Sequence, residues 1–455
     1  MLDRSERISK RIDDGDGSGP GTPILRRTEH SGISRLERLA FAALAIPAII
    51  YAITVFRMLP ERATTWDFSH YYTSAMVLRD GGDPYTTDLQ PIGARLGLKI
   101  DQINRGTYPP TFIWCFSPLT RLPVRSAFFV WQAFSIGCLA AGLVLLMRET
   151  VSRRAAAWLT LGVVFFAPVQ LHLAFSQSQF MIFLMLVLVI RALERSRDAE
   201  AGVILAAATL LRAYPIAMAG YLVVRRRWKA LGWMVAGLIV GGLITVAAVG
   251  LKTCLDFKYV PALITQRYFL ENPSNIALGS FIARMFWRLS DSGLIGAHES
   301  LRKGVSLAAS AAVAIFVLVR TWTHYDSEDE PDLDGRVYSL WLATMVLISP
   351  TSWDHYLVLL LIPFIQVTSA AIAGRVGRPA VIMCIASYVL AQIGFYVFAM
   401  SGFVYSHELL TTEMGFFSAA AAWVATLLFA GTPAMATVAA PSSLTLTVSR
   451  STAAV

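Results

Sequence analysis

The sequence predicts an all-α protein that crosses a membrane many times. Of its 455 residues, 55% are hydrophobic and only 15% are charged, whereas an ordinary soluble domain carries about 25% charged residues. Several apolar runs reach or approach the roughly 20 residues that a helix needs to cross a hydrocarbon core of about 30 Å. Basic residues cluster beside these runs, as they do at the cytoplasmic ends of membrane helices.

The net charge of +9 comes from such clusters. One contains Arg148, Arg153 and Arg154, and another is the run from Arg225 to Lys229. A nucleic-acid surface would instead interleave basic and aromatic residues on a soluble face. The charge pattern therefore indicates membrane orientation, and we expect no nucleic-acid partner.

The four cysteines, Cys115, Cys138, Cys254 and Cys384, lie far apart without CxxC spacing. This pattern supports neither a zinc site nor a redox motif. The first apolar run begins near Leu36 and is longer than the apolar core of a signal peptide. We expect it to remain as a membrane anchor.

The chain is predicted to hold one membrane domain, residues 34–431, between two tails. Residues 1–33 are rich in Asp, Gly, Ser and Arg, and residues 432–455 in Ala, Ser and Thr. Both compositions are typical of disorder, and the first tail is expected to be cytoplasmic. Continuous spans are predicted near 36–57, 126–147, 156–174, 178–193, 231–250, 303–320, 337–349, 354–373, 379–400 and 414–431.

Residues 201–224 depart from a simple span because Arg212, Tyr214 and Pro215 interrupt the apolar run near its middle. A charged group at that depth is costly, and proline disfavours helix in the residue before it. A broken re-entrant hairpin of two half-helices relieves both problems. It also puts the dense basic run after residue 224 on the cytoplasmic side, although a single span gives nearly the same total of basic residues per side.

With a cytoplasmic N-terminus, residues 58–124 form a long first extracytoplasmic loop. Loops of this length are usually functional or disordered. Its aromatic and apolar stretches argue against disorder, so we expect it to fold onto the membrane surface and to carry function.

The loop opens with Trp66-Asp67-Phe68-Ser69-His70-Tyr71-Tyr72. Tyr71, Ala75 and Leu78 share one helical face, which predicts an amphipathic helix on the membrane surface with Asp67 near its N-terminus. On spacing alone, Asp67 as a helix cap is the simpler interpretation. Further along, Tyr108-Pro109-Pro110 is typical of an ordered turn before a helix.

Taken together, the order of these motifs resembles glycosyltransferase family 87, over about residues 36–431. The pattern includes several short polar or aromatic motifs at the ends of apolar runs. They are Asp67-Phe68 with Tyr71-Tyr72, Gly82-Asp83-Pro84-Tyr85, Tyr108-Pro109-Pro110, Gln177-Ser178-Gln179, Arg212-Ala213-Tyr214-Pro215, Asn275 and Trp353-Asp354-His355-Tyr356. The chain departs from the family at Ser176 to Gln179, where Gly-Gln-x-Asn is more usual, and at Arg212, where lysine is common.

The resemblance implies a GT-C fold, with about 10 to 13 membrane helices on the present span assignment. It also implies transfer of one sugar, typically mannose or arabinofuranose, from a polyprenyl-phosphate carrier to a lipid-linked or cell-envelope glycan acceptor. The site is then expected on the extracytoplasmic face of the plasma membrane. The family's catalytic base falls on Asp67, which would take the proton of an acceptor hydroxyl in one inverting displacement.

The other candidate residues serve the two substrates. Arg212 and His355 are expected to bind the donor phosphate, because a guanidinium fork suits phosphate oxygens. The candidates for other substrate contacts are Tyr71, Tyr108, Gln177, Asn275 and Asp354. For Gln177 and Asn275, completing hydrogen bonds at a helix end is the alternative reading, as interfacial packing is for His355 and helix capping for Asp354. No cofactor or metal is expected, although the residues are compatible with a bound divalent cation.

Two other classes of protein are compatible with the sequence. A transporter or flippase of a lipid-linked glycan would also be polytopic and could use broken helices with a charged residue at mid-depth. Such proteins are often built from inverted repeats, and no repeat is visible in this sequence. A ligase that uses a larger polyprenyl-linked glycan is the third reading.

Overall fold

The computed structural model describes residues 35–62, 66–100, 104–148, 151–293, 296, 298–324, 331–400 and 413–431. The predicted tails, 1–33 and 432–455, lie outside the described residues. Within these ranges the regular structure is helical, and its only β-type pairing is an isolated bridge between Asn275 and Trp353. The predicted all-α membrane fold is confirmed.

Helices follow one another along the described ranges. They are α1 Arg35–Arg62, α2 Trp66–Arg79, α3 Gln90–Arg95, α4 Pro110–Phe116, α5 Val124–Met147, α6 Arg153–Phe165, α7 Ala167–Phe175, α8 Gln179–Glu194, α9 Asp198–Leu211, α10 Ala219–Val224, α11 Trp228–Val249, α12 Leu251–Asp256, α13 Tyr259–Ile264, α14 Arg267–Glu271, α15 Leu278–Asp291, α16 Glu299–His324, α17 Pro331–Ile348, α18 Leu361–Ile372, α19 Arg378–Met400 and α20 Met414–Ala430. Tighter 3-10 helices cover Ser117–Arg121, Tyr214–Met218 and Asp354–Leu360.

Among the described residues, five helical segments are long and apolar enough to cross a membrane. They are Val124–Met147, Trp228–Val249, Glu299–Trp322, Asp354–Ile372 and Arg378–Tyr396. A sixth span is formed if α6 and α7, which meet at a bend of 53°, are taken together. The total number of membrane helices stays a prediction.

The chain divides into two compact units. The first, Met1–Ile46, is described from residue 35 onward, where it is helical. The second, Pro47–Val455, contains the hydrophobic core and all the candidate site residues.

Helices α9 and α11 run parallel, side by side. A Cβ built on Gly202 would lie 2.2 Å from the carbonyl oxygen of Ala230, which places the two N-terminal ends together. A Cβ on Gly241 would lie 2.3 Å from Leu210 Cδ1, which places the later turns together. Because consecutive parallel helices need a return connection, the chain between them must double back.

The return limb is the 3-10 helix Tyr214–Met218 followed by α10. Its start is set at Arg212, whose extended backbone (φ −148°, ψ 121°) ends α9 three residues before Pro215. A proline cannot donate to the carbonyl four residues earlier, here that of Leu211, and its ring clashes with that carbonyl in a continuous helix. At the opposite end, Arg227 Nη1 lies 3.6 Å from Asp198 Oδ1. The end of the return limb therefore lies beside the start of α9. The described residues therefore form a broken hairpin with Arg212 at its tip, and its re-entrant placement in the membrane stays a prediction.

We expect Gly202→Ala to destabilise the protein. The new methyl group would overlap the backbone of α11, which cannot move aside as a flexible side chain could, and overpacking of this kind costs about 1–3 kcal/mol. Thermal unfolding in detergent should therefore show a lower midpoint. Gly232→Ala on α11 is the matched control because nothing lies within 4 Å of its added Cβ, and an unchanged midpoint for Gly202→Ala would contradict the close packing.

The long loop is folded around an aromatic core, as expected from its composition. Phe68, Tyr71 and Tyr108 are buried together with Phe112 and Trp131, the last from α5. The rings meet largely edge to face, with the Tyr71 and Tyr108 centroids 4.5 Å apart. This core fixes α2 and α4 against the start of α5.

The prediction that α2 is an amphipathic helix on the membrane surface is wrong. Residues 68–75 are buried on every side, including the small polar residues Ser69, Thr73 and Ser74. These side chains are small enough to pack beneath neighbouring segments. Asp67 lies within the first turn of α2 and does not precede it as a cap residue.

Candidate active site

A cavity of about 770 Å³ lies between the folded loop, the hairpin tip, α13 and α14, and the segment that leads from α17 into the 3-10 helix Asp354–Leu360. Six predicted site residues line it: Asp67, Tyr108, Gln177, Arg212, Asp354 and His355. Its volume falls in the range of about 300–1,000 Å³ that is usual for small-molecule sites. The tertiary structure thus brings together residues that are almost 290 positions apart in sequence.

Asp67 is held at the cavity by Tyr108. The Tyr108 hydroxyl donates a short hydrogen bond to Asp67 Oδ1. Burial, reinforced by the nearby Asp67 carboxylate, raises the pKa of the Tyr108 hydroxyl well above its ordinary value. Tyr108 therefore keeps its proton at neutral pH and acts as a permanent donor to Asp67.

Arg212 is fixed at the hairpin tip by neutral partners. Its Nε donates to Ser178 Oγ at 2.7 Å, and its Nη2 donates to Tyr71 Oη and Gln177 Oε1, both at 3.1 Å. Its Cζ also lies 4.5 Å from the centroid of the Tyr108 ring, a cation–π distance. The same tyrosine therefore touches both Asp67 and Arg212, which places the carboxylate and the guanidinium at neighbouring positions.

The guanidinium of Arg212 lacks an anionic partner within the described part of the chain. The side chain is 7% exposed, and none of its contacts there is to a carboxylate. Arg284, equally buried, shows the usual solution, because it pairs with the buried Glu413. Since a buried charge is normally paired, the surroundings of Arg212 favour an anionic ligand in the cavity.

His355 presents a second polar atom in the same region. It is 6% exposed, and its Nε2 is buried without a hydrogen-bond partner among the described residues. The ring lies in the first turn of the 3-10 helix that begins at Asp354, a residue that also lines the cavity. A buried nitrogen without a protein partner is commonly satisfied by an ordered water or a ligand.

The remaining predicted residues are placed differently. Gln177 lines the cavity, and its Oε1 accepts from Tyr71 Oη at 2.8 Å. Tyr71 is fully buried behind Gln177. Asn275 is also fully buried, with Nδ2 donating to the Phe269 carbonyl at 3.2 Å and Oδ1 accepting from the backbone of Ser352 at 3.1 Å. Substrate-binding roles for these residues stay predictions.

Several cavity residues were missing from the sequence-based set. They are His70, Tyr214, Tyr268, Asn272, Trp353 and Tyr356. His70 follows Asp67 by three positions and so shares its helical face, a signal that the sequence did contain. Tyr268 and Asn272 come from a segment with no recognisable motif, and only the fold brings them to the cavity.

Across the described residues, no group of three or more His, Cys, Asp or Glu side chains is arranged to hold a metal ion. The expectation that the reaction needs no metal or cofactor stays a prediction.

A cavity that holds a carboxylate and a guanidinium without an anionic partner among the described residues is compatible with either an enzyme or a transporter. The comparison with protein families decides between these classes. The model of glycosyltransferase family 87 matches residues 107–350, more than half of the chain, and the chain belongs to that family. The protein is therefore a membrane glycosyltransferase. No curated protein matches the chain.

The matched region includes Tyr108, Gln177, Arg212 and Asn275. Asp67, at the start of the loop, and His355, just beyond residue 350, fall outside it. Both nevertheless line the same cavity as Tyr108, Gln177 and Arg212, which belong to the matched region.

Proposed function

We propose that the enzyme transfers a single sugar from a polyprenyl-phosphate carrier to a lipid-linked or cell-envelope glycan acceptor, on the extracytoplasmic face of the plasma membrane. Mannose is the first candidate, by resemblance to the family. The observation that carries the proposal is the buried guanidinium of Arg212, which has no carboxylate partner among the described residues and shares a cavity with Asp67.

The donor phosphate is assigned to Arg212 and His355. Arg212 uses Nε and Nη2 on neutral protein oxygens, so a phosphate would supply the missing anionic partner. His355 Nε2 would contact another phosphate oxygen or the sugar. As the bond to the sugar breaks, negative charge grows on the phosphate, and donors already in place stabilise it without reorganisation.

Asp67 is assigned the role of base. The acceptor hydroxyl oxygen attacks the anomeric carbon as the bond from that carbon to the phosphate oxygen breaks, and the phosphate leaves with the bonding electron pair. Asp67 takes the hydroxyl proton, and the configuration at the anomeric carbon inverts. A single displacement needs no covalent intermediate with the protein.

We expect Tyr108→Phe to reduce the transfer rate by about tenfold or more, because a hydrogen bond to a charged group contributes roughly 1.5–3 kcal/mol. Turnover of a polyprenyl-phosphate sugar by the purified variant measures this. Tyr72→Phe is the matched control, since its hydroxyl in the same aromatic core donates instead to the Leu122 carbonyl at 2.8 Å. Equal activity of the two variants would show that the Tyr108 hydroxyl does not contribute to sugar transfer.

A lipid-linked donor also suits the other walls of the cavity. Ile216 and Ala217 of the hairpin, Val260 and Ile264 of α13, and Met345 of α17 are apolar lining residues. They would cover the first isoprene units of a carrier while the phosphate lies at the polar end. A nucleotide sugar would gain little from such walls.

The hairpin supports the extracytoplasmic assignment. The basic run that starts at Arg225 lies at the base of the hairpin, where Arg227 meets Asp198. Arg212 lies at the other end of α9, about 20 Å away along 14 residues. If the basic run is cytoplasmic, the cavity opens on the opposite side of the membrane.

The test is a transfer assay with the purified protein in detergent. A radiolabelled polyprenyl-phosphate mannose, the arabinofuranose equivalent and a nucleotide sugar are each supplied with extracted membrane glycolipids. The proposal expects an elongated lipid product from a polyprenyl-phosphate donor and none from the nucleotide sugar. Transfer only from a preassembled polyprenyl-linked glycan would identify a ligase, and movement of labelled lipid across proteoliposomes without transfer would identify a flippase.

A further inference from the structure

Two segments that are far apart in sequence form one wall of the cavity. Ser274 belongs to the first, and Trp353 to His355 belong to the second. They are joined by the isolated antiparallel bridge between Asn275 and Trp353. The Asp354 N–H donates to the Ser274 carbonyl at 2.9 Å, and the Ile276 N–H donates to the Ser352 carbonyl at 2.5 Å. Whatever fixes the first segment therefore also fixes the second.

Arg284 of α15 holds the first segment from behind. Its Nη1 donates to the carbonyl oxygens of Leu270, Asn272 and Asn275 at 3.2, 3.0 and 2.9 Å. Its Nε and Nη2 donate to the two oxygens of Glu413 at 2.8 and 2.5 Å. A single guanidinium thus joins the backbone of the wall to the carboxylate that precedes α20.

The N-terminus of α20 also contacts the second segment directly. A Cβ built on Gly415 would lie 2.3 Å from Asp354 Oδ1 and 2.7 Å from Ile276 Cγ2. The backbone of α20 therefore packs against both sides of the bridge. Glycine is the residue that leaves room for this approach.

The Arg284–Glu413 pair is almost completely sealed from solvent, with side chains 4% and 0% exposed. Buried ion pairs are often no more stabilising than apolar residues of the same size, because both charges lose their hydration. Fixing one geometry is their better-attested use. Here the geometry that is fixed is a wall of the site.

We propose that Arg284 and Glu413 are positioning residues that hold His355 at the donor phosphate through the Asn275–Trp353 bridge. The proposal rests on the role assigned to His355 under the proposed function. Arg284 and Glu413 do not line the cavity and act through the backbone of its wall.

The first measurement is hydrogen exchange, which does not depend on activity. Arg284→Lys keeps the charge but loses the planar guanidinium that bonds to the wall and to Glu413 at the same time. We therefore expect faster exchange at the backbone amides of Ile276, Ser352 and Asp354. Gly415→Ala should have the same effect by displacing Asp354, without removing a buried charge. Arg191→Lys is the matched control, because Arg191 is a buried arginine that pairs with Glu194 and donates to the Leu145 carbonyl away from the wall. Unchanged exchange in both wall variants would overturn the proposal.

The second measurement is a double-mutant cycle on sugar transfer. Arg284→Lys should lower kcat on the order of 100-fold, since displacing a catalytic contact by about 1 Å can have that effect, with a much smaller change in KM for the acceptor. In a His355→Ala background the same substitution should change kcat by no more than about twofold. If Arg284→Lys lowered kcat by the same factor in the His355→Ala background as in the wild type, Arg284 would have a purely structural role, and the proposal would be overturned. A wild-type protein without transfer activity would instead refute the proposed function, and exchange alone would then decide whether the wall is held in this way.

Discussion

Asp67→Asn is expected to reduce sugar transfer by about 10²–10⁴-fold, the contribution usual for a positioned general base. Asparagine keeps the size of the side chain and can still accept the hydrogen bond from Tyr108. It cannot take the proton of the acceptor hydroxyl. The loss should therefore appear in kcat, while the Kd for the polyprenyl phosphate stays close to that of the wild type.

Asp88→Asn is the control for this prediction, because Asp88 is an exposed carboxylate of the same loop that accepts from the Gln90 backbone at 3.0 Å. Single-turnover measurements with preloaded donor separate the chemical step from binding. If Asp67→Asn retained wild-type kcat, another group would have to be the base.

Arg212→Gln is expected to weaken binding of a polyprenyl phosphate by roughly 10- to 150-fold, which corresponds to about 1.5–3 kcal/mol for hydrogen bonds to a charged group. Glutamine can reach some of the same neutral partners but carries no charge. The phosphate would then enter the cavity without its cation. The Kd of the carrier phosphate, measured by titration in detergent, reports this loss independently of catalysis.

Arg95→Gln provides the matched control, since Arg95 is an exposed arginine at the end of α3 in the same loop. Its removal changes the net charge equally but does not touch the cavity. A similar loss of affinity in both variants would mean that Arg212 acts only through overall charge. Retained affinity in Arg212→Gln would refute its role as the phosphate ligand.

Taken together, the two substitutions should separate the functions of the site. Asp67→Asn should retain donor binding and lose turnover, whereas Arg212→Gln should lose donor binding as well. This difference follows from their positions on either side of Tyr108, whose hydroxyl contacts the carboxylate and whose ring contacts the guanidinium.

The parts of the fold that the sequence predicted well depend on local chemistry. Apolar runs of sufficient length determine where membrane helices form, and Pro215 prevents α9 from continuing as a regular helix past Leu211. The surface helix was predicted wrongly because an apolar face such as that of Tyr71, Ala75 and Leu78 occurs in surface helices and also in helices that, like the first turns of α2, are buried on every side. Local pattern cannot distinguish these two environments.

The sequence by itself determined that the protein is a polytopic helical membrane protein and favoured a broken hairpin over a single span at residues 201–224, because hydropathy and backbone restrictions act over short stretches of chain. Only the tertiary structure decided that Tyr108 joins Asp67 to Arg212 and that Arg284 braces the wall carrying His355. These contacts link residues between 9 and 104 positions apart. Their geometry depends on how whole helices pack together, which no local pattern specifies.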